Sequence, residues 1–292
     1  MKLKTLIFSF FLSLNSYSVE NKNAHNHFEI NNILEVSKHI KNISKSCGGN
    51  KNVLIFLDLD NTLLAMKKPL GSDQWFSWQA DILKKGKNHN DYPLRVTDNF
   101  YSLLKVTQEL FLDNGMRPVE EGTLTFVRSL QKNGHKVVVL TSRGGVNMKA
   151  TLREINNNHL DFSKSTIGKG SSEFFLPYGK NSKKKQRKVL FAKGVFMTAG
   201  LHKGEMTQVL MKKFNTTSPC IVHVDDHSKH TTNVQNTYKN LKTKAFTFRY
   251  GAEDKLVKKF HKGAKSDVHS EWIKFQKSFQ AKKGTLIGVK TL

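Results

Sequence analysis

The segment FLDLDNTLLA (residues 56–65) places two carboxylates two positions apart, directly behind a run of apolar residues. The apolar run begins at Val53 and predicts a buried strand, so Asp58 and Asp60 follow that strand at the point where it ends. Two negative charges this close repel each other unless an opposite charge shares the site. Thr62 adds a hydroxyl two positions later. The pattern therefore predicts a charged site at a strand end with a cationic partner.

Two further apolar runs also end in polar residues. KVVVLTSR delivers Thr141, Ser142 and Arg143, and CIVHVDDH delivers Asp225 and Asp226. Ligands of open parallel sheets bind outside the carboxyl ends of the strands, so these groups are expected at one edge. Four converging carboxylates need a divalent cation, and ligand sets made only of oxygen favour Mg²⁺. The sequence thus predicts a magnesium site with four candidate ligands: Asp58, Asp60, Asp225 and Asp226.

A carboxylate beside Mg²⁺, hydroxyl groups and a cation is suited to phosphoryl transfer, in which an aspartate attacks phosphorus. The cation for the phosphoryl oxygens is expected to be Lys203, at the start of the helix predicted in HKGEMTQVLMKKF. Lys193 also precedes a glycine and competes for that role, as Ser142 competes with Thr141 for binding a phosphoryl oxygen.

The motifs DLDNT, VVLTSR, LHKGE and VHVDDH, in this order, resemble those of the haloacid-dehalogenase (HAD) superfamily of phosphohydrolases. The resemblance covers about residues 53–250 and is closest to a secreted branch that is similar to the class B and class C acid phosphatases of bacteria. It implies a phosphomonoesterase that acts on a phosphorylated small molecule. It equally covers dehalogenases and mutases, but the acid at Asp60 is not needed to displace a halide, and secretion does not suit a metabolic mutase.

The same resemblance implies a role for each site residue. Asp58 would be the nucleophile that forms an aspartyl phosphate, and Asp60 the general acid that then becomes the general base. Thr141 would bind a phosphoryl oxygen, and Lys203 would balance the charge of Asp58 and the phosphate. Mg²⁺ would be held by Asp226 with Asp225, Asp58 and the main-chain carbonyl of Asp60. Asn233 is a weaker supporting candidate, because it lies further from the last motif than is usual in the family.

Strand and helix patterns alternate along the chain and predict an α/β fold: a Rossmann-like three-layer sandwich with a parallel sheet and a small helical cap after the first catalytic strand. Helix periodicity in FEINNILEVSKHIKNI starts at Phe28, and Pro118 marks the start of a second helix. The chain is expected to divide into a signal peptide (1–18), an N-terminal helical extension (19–51), a HAD-like core (52–65 and 118–251), a helical cap (66–117) and a basic helical tail (252–292). Trp75, Phe76 and Trp78 form either the core of the cap or a surface that stacks on an aromatic leaving group.

The first twenty residues, MKLKTLIFSFFLSLNSYSVE, have the basic start, apolar middle and small-residue end of a secretory signal peptide. Cleavage is expected after Ser18, with export from a bacterial cytoplasm to the periplasm or the medium. The apolar run is too short for a stable membrane span. In an oxidising compartment Cys47 and Cys220 could form a disulfide, although two buried free thiols are an open alternative.

The formal net charge of +25 favours anionic partners, or else a basic surface without a partner. An alternative function follows: a catalytically idle HAD-like protein that binds nucleic acid or an acidic membrane through KNSKKKQRK and the lysine-rich tail. The complete set of site residues argues against it, because an idle fold has no need for a repelling carboxylate cluster. The pairs His25/His27 and His227/His230 lack the partners and spacing of a zinc site and are expected to be surface histidines or neighbours of the site.

Overall fold

The computed structural model describes residues 26–177 and 186–283. The predicted signal peptide and most of the basic segment KNSKKKQRK lie outside the described residues, as does the end of the predicted tail.

Ten strands lie within the described part of the chain: β1 (His27–Ile30), β2 (Val53–Leu57), β3 (Leu64–Met66), β4 (Met116–Pro118), β5 (Lys136–Thr141), β6 (Ser171–Pro177), β7 (Gln186–Ala192), β8 (Val195–Met197), β9 (Cys220–Asp225) and β10 (Lys244–Tyr250). The helices of the same residues are α1 (Ile33–Ser46), α2 (Asp73–Lys85), α3 (Phe100–Asp113), α4 (Thr123–Lys132), α5 (Met148–Asn157), α6 (Lys203–Lys213), α7 (Ser228–Tyr238), α8 (Asp254–Lys262) and α9 (Ser266–Lys283).

Eight strands form one sheet in the order β1-β10-β9-β2-β5-β8-β7-β6. The first six in this order run parallel, and β7 and β6 add an antiparallel edge. β2 lies between β9 and β5, so the three strands that end in the predicted site residues are neighbours in the sheet. The predicted α/β fold class is confirmed.

Helices cover both faces of the sheet, because the central strands are apolar on both sides. All five residues of β2 are buried. Ile55 and Leu57 pack in one core with residues of α1, α4 and α5, and Leu54 and Phe56 pack in a second core with residues of α6 and α7. This alternation follows from the period of two in a strand and gives the three-layer arrangement.

The small antiparallel pair β3–β4 forms the base of a helical cap. Helices α2 and α3 lie between these two strands in the sequence, and they share a third core that includes Trp75, Trp78 and Val106. Val268 and Trp272 of α9 belong to this core as well. The C-terminal helix α9 therefore packs with the cap.

Two predicted helix starts are wrong. The helix predicted from Phe28 begins at Ile33, because Asn32 is extended and its side chain caps the helix by accepting the N–H of Leu34. The residues before it form β1, which adds to β10 at the sheet edge. Pro118 ends β4, and the helix predicted there begins at Thr123.

Cys47 and Cys220 form a disulfide, with their Cα atoms 6.2 Å apart. The bridge ties the end of α1 to the start of β9, across 173 residues of sequence. Among the described helices, none combines the length and the apolar character needed to cross a bilayer.

Candidate active site

Lys203 joins the ends of two neighbouring strands. Its Nζ donates to Asp58 Oδ1 at 2.5 Å and to Asp225 Oδ2 at 2.6 Å. The lysine is 1% exposed, so its charge is buried and needs both carboxylates. Lys203 is the first residue of α6, and the competing Lys193 is exposed in the turn between β7 and β8. Of the two candidate lysines, the structure brings Lys203 to the site.

Gly204 allows α6 to approach α7 closely enough to hold Lys203 in place. A Cβ at this position would lie 2.2 Å from Thr237 Oγ1 and 2.6 Å from the carbonyl oxygen of Asn233, both in α7. Asn233 therefore supports the helix that carries Lys203 through backbone packing.

Asp58, Asp225 and Asp226 present carboxylate oxygens that lie within 4.8 Å of one another. Oδ1 of Asp226 is buried and has no hydrogen-bond partner. Three carboxylates with one ammonium group leave a deficit of positive charge in a buried site. The set therefore fits a hard divalent cation such as Mg²⁺, which prefers oxygen ligands.

The pKa values of these carboxyls are shifted by the same burial and by the same shortage of positive charge. Burial raises the pKa of Asp58 to about 7, although Lys203 opposes the shift. Burial also raises the pKa of Asp226 well above its usual value. For Asp225 burial acts in the same direction, but Lys203, His223 and His230 together outweigh it, and the pKa lies well below the usual value. Burial disfavours the Lys203 charge, yet Asp225 and Asp58 raise the pKa of the ammonium group.

The Asp60 side chain lies outside the carboxylate cluster and pairs with Arg143. Arg143 Nε donates to Asp60 Oδ2 at 2.9 Å, and Nη2 donates to Oδ1 at 2.7 Å. The guanidinium is held in turn by Thr151 Oγ1, 3.0 Å from Nη1, and by the ring of Phe111, whose centroid lies 3.9 Å from its central carbon. Any part of Asp60 in a metal site would therefore fall to its main-chain carbonyl.

Two threonines tie the loops of the site together. Thr62 Oγ1 accepts the N–H of Asp226 at 3.1 Å, which links the loops after β2 and β9. Thr141 is buried at the end of β5, and its Oγ1 accepts the N–H of Arg143 at 3.2 Å. Ser142, the competitor of Thr141, lines the cavity beside Asp60. Both candidate hydroxyl residues thus lie at the same edge.

Three histidines surround the acidic cluster: His227 and His230, which the sequence offered as surface histidines or neighbours of the site, and His223, which sequence reasoning missed. His223 Nε2 and His230 Nδ1 each lie 3.2 Å from a carboxylate oxygen of Asp225. Burial lowers the pKa of both imidazoles. Because alternate residues of a strand share a face, the position of His223 two residues before Asp225 in β9 was a usable signal for this contact.

His227 connects the core to the cap. Its Nε2 lies 3.1 Å from Oδ2 of Asp73, the first residue of α2. The hydrogen bond to Asp73, opposed by burial, raises the pKa of His227 to about 10. The loop after β9 is therefore joined to the cap by a charged contact.

A cavity of about 190 Å³ lies between the cap and the loop after β5. Asp60, Ser142 and Arg143 form its polar side, and its apolar walls are formed by Phe76, Leu104, Phe111 and Val146. Trp75 and Trp78 are buried in the core of the cap, so of the three aromatic candidates only Phe76 reaches this cavity.

The mostly parallel sheet has helices on both faces and an inserted cap, and this α/β fold carries the acidic site at its strand ends. Residues 29–283 match the model of the family described as "Protein of unknown function (DUF2608)", and the chain belongs to that family. Compared by sequence with curated proteins, the chain has no significant match.

The solved structures that match this chain have little sequence in common with it. A structure described as a haloacid dehalogenase-like hydrolase from Burkholderia xenovorans LB400 is 12% identical, with a TM-score of 0.38 over 67% of this chain and 83% of that chain. The class C acid phosphatase from Bacillus anthracis is 14% identical, with a TM-score of 0.34 over 83% and 86% of the two chains. Cytosolic 5'-nucleotidase IIIB bound to cytidine is 12% identical, with a TM-score of 0.33 over 85% and 93%.

Proposed function

We propose that the protein is a Mg²⁺-dependent phosphomonoesterase that works through an aspartyl phosphate on Asp58. The observation that carries the proposal is that two carboxylates of one loop, Asp58 and Asp60, have different surroundings. Asp58 is held by Lys203 among the acidic cluster, whereas Asp60 turns away from it and lines the cavity beside Arg143. A nucleophile and an acid–base group of this chemistry need such separate surroundings.

In the first step an oxygen of Asp58 attacks phosphorus, and the bond between phosphorus and the leaving oxygen breaks. The leaving oxygen takes a proton from Asp60, so an alcohol departs and an acyl phosphate remains on Asp58. Lys203 and the hydroxyls of Thr141 or Ser142 bind the phosphoryl oxygens, whose charge is spread in the transition state.

In the second step a water molecule attacks the same phosphorus while Asp60 accepts its proton. The bond between phosphorus and Asp58 breaks, inorganic phosphate leaves, and both carboxyls return to their starting states. Arg143 holds Asp60 in place through both steps, because each carboxylate oxygen accepts one guanidinium N–H and keeps a lone pair for proton transfer.

Asp58, Asp225 and Asp226 would hold Mg²⁺, together with the main-chain carbonyl of Asp60. The ion supplies positive charge that neutralises the acidic cluster and the phosphoryl oxygens. The unpartnered Oδ1 of Asp226 supports this assignment.

The cavity beside Asp60 favours a compact leaving group with apolar surface. Its volume of about 190 Å³ is near that of cavities which admit a single benzene ring, about 150 Å³. Asn147 lines the same cavity, and its buried Oδ1 has no hydrogen-bond partner. A leaving group whose ring carries a hydroxyl or amino group would donate the missing hydrogen bond.

We also propose that the protein is exported and works in an oxidising compartment. The composition of residues 1–18 and the disulfide between Cys47 and Cys220 support this location. N-terminal sequencing of protein recovered outside the cytoplasm tests it: a start at Val19 agrees with cleavage after Ser18, and an intact Met1 contradicts it.

The test of the activity is hydrolysis of 4-nitrophenyl phosphate and phenyl phosphate with Mg²⁺, with EDTA, and by Asp58→Asn. We expect turnover that requires both the metal and Asp58, while Asp113→Asn, an exposed aspartate at the end of α3, stays active. Full activity of Asp58→Asn would overturn the proposal. If every protein is inert on both esters and on a panel of phosphorylated metabolites, the idle-fold alternative stands instead.

A further inference from the structure

A second cavity adjoins the loop after β2 at Asn61, lies away from Asp58 and has no part in the proposed reaction. It has a volume of about 410 Å³. Its walls come from the β3–β4 pair, from Gln74 near the start of α2, and from α8 and α9, which close it on the other side. Asp58, Asp225, Asp226 and Lys203 do not line it.

The charges around this cavity are predominantly positive. Arg117 pairs with the buried Glu253 at 2.8 Å, so those two groups compensate each other. Lys67, Lys68 and Lys259 remain, against the single carboxylate of Asp267. None of the three lysines forms an ion pair with a described residue. The cavity therefore attracts an anion.

The wall also contains an unsatisfied hydrogen-bond donor. Asn61 is 3% exposed, and its buried Nδ2 has no acceptor. Oε1 of Gln74, in the same wall, is a buried acceptor without a donor. Buried polar groups are nearly always paired, so this pair indicates an occupant that offers an oxygen to Asn61 and a hydroxyl or amine to Gln74.

The rest of the wall is apolar and partly open. Leu256 is 48% exposed on α8, and Phe260 and Val268 line the cavity beside it. An inorganic ion would leave this surface uncovered, whereas an organic anion would place its apolar body against it.

We propose that this cavity is a second ligand site, for a small organic oxyanion. The ligand has a carboxylate or phosphate group for the lysines and Asn61, and an apolar body with a hydroxyl for Gln74. Asn61 lies between Asp60 and Thr62, so an occupant contacts the loop that carries the proposed nucleophile. The site stands independently of the proposed phosphatase activity.

Calorimetric titration of full-length Asp58→Asn protein in EDTA tests the site without turnover or metal. The probes are 4-hydroxybenzoate and 4-hydroxyphenylphosphonate, which differ in their anionic group. Inorganic phosphate is the third probe, because it carries the charge without the apolar ring. We expect saturable binding of at least one organic probe and weaker binding of inorganic phosphate by about tenfold or more. Binding of inorganic phosphate as tightly as both organic probes would contradict the ligand class, and no saturable binding would overturn the site.

Two kinds of variant locate the binding. Lys67→Ala with Lys259→Ala removes the charges, and Ala264→Trp fills the cavity from an exposed loop residue. Each is expected to raise the dissociation constant by about tenfold or more, whereas Lys255→Ala with Lys258→Ala, on the same helix but outside the cavity, leaves it unchanged. Melting curves establish that the variants fold. Unchanged affinity in folded Ala264→Trp would place the probe elsewhere and overturn the proposal.

Discussion

Arg143 donates two hydrogen bonds to Asp60, of 2.9 Å and 2.7 Å, and the two residues lie 83 positions apart in the sequence. The geometry is that of a bidentate arginine–carboxylate pair, which fixes the direction of the carboxylate as well as its charge. Since Phe111 and Thr151 hold the guanidinium from the cap side and from α5, the acid–base group of the proposed reaction is positioned by both parts of the molecule.

Replacement of this arginine should affect proton transfer more than binding. Arg143→Lys keeps a positive charge but cannot make the bidentate contact. We expect kcat for phenyl phosphate to fall by about a hundredfold, and kcat for 4-nitrophenyl phosphate, whose leaving group needs little protonation, to fall less. Steady-state kinetics with both esters measures the difference. Arg128→Lys, on the exposed side of α4, is the control. Equal losses on the two esters would show that Arg143 does not act through the acid.

The contrast between Asp58 and Asp60 shows what the sequence could predict. Strands that end in polar residues at one sheet edge were enough to predict that Asp58, Asp225 and Asp226 converge, because neighbouring parallel strands end together. The partner of Asp60 could not be predicted in this way. It depends on the rotamer of a long arginine side chain and on cap residues that pack against it.

Binding of Mg²⁺ should stabilise the fold through the acidic cluster. A ligand that binds only the folded state adds about 2.7 kcal/mol at a concentration one hundred times its dissociation constant. We therefore expect Mg²⁺ to raise the melting temperature of the wild type. Asp226→Asn resembles the protonated carboxyl and should fold, but it should lose most of the shift, whereas Asp113→Asn should keep it. An equal shift in Asp226→Asn and in the wild type would exclude Asp226 as a ligand.

The disulfide should contribute substantially to stability, since it closes a loop of 173 residues. Removal of a native disulfide typically lowers the free energy of unfolding by about 2–5 kcal/mol, and Cys47→Ala should show a loss of this size in urea unfolding. Dithiothreitol should destabilise the wild type similarly and leave Cys47→Ala unaffected. Identical unfolding of oxidised and reduced wild type would contradict the prediction.

His135 should make the fold less stable in mild acid. Burial lowers the pKa of this imidazole below 6.5, and its Nε2 lies 2.9 Å from Ser44 Oγ. Below pH 6.5 the unfolded chain binds a proton that the folded protein resists, so the stabilisation is complete above that pH and is lost as the pH falls. His135→Gln should lose less stability than the wild type between about pH 7.5 and about pH 5.5. Denaturant unfolding across this range measures it, and His159→Asn, in an exposed turn, should behave as the wild type. If the free energy of unfolding of His135→Gln fell with pH as steeply as that of the wild type, the prediction would be wrong.

Three other features could not be predicted correctly or completely from the sequence, each for a physical reason. The periodicity of FEINNILEVSKHIKNI suits a helix throughout, but Asn32 caps the helix and frees the residues before it to pair with β10. The pairing of Cys47 with Cys220 depends on where α1 ends relative to β9, which tertiary packing decides. The role of α9 in the cap core depends on contacts between residues almost two hundred positions apart.

The most direct test of the central claim is to look for the phosphoryl group on Asp58. Asp60→Asn removes the base that activates water, so 4-nitrophenyl phosphate should still load the enzyme while the intermediate decays slowly. Rapid acid quench and intact-protein mass spectrometry should show a gain of one phosphoryl group, mapped to the peptide that contains Asp58 and absent from Asp58→Asn/Asp60→Asn. A phosphoryl group on another residue, or a mass gain that persists in the double variant, would contradict the account.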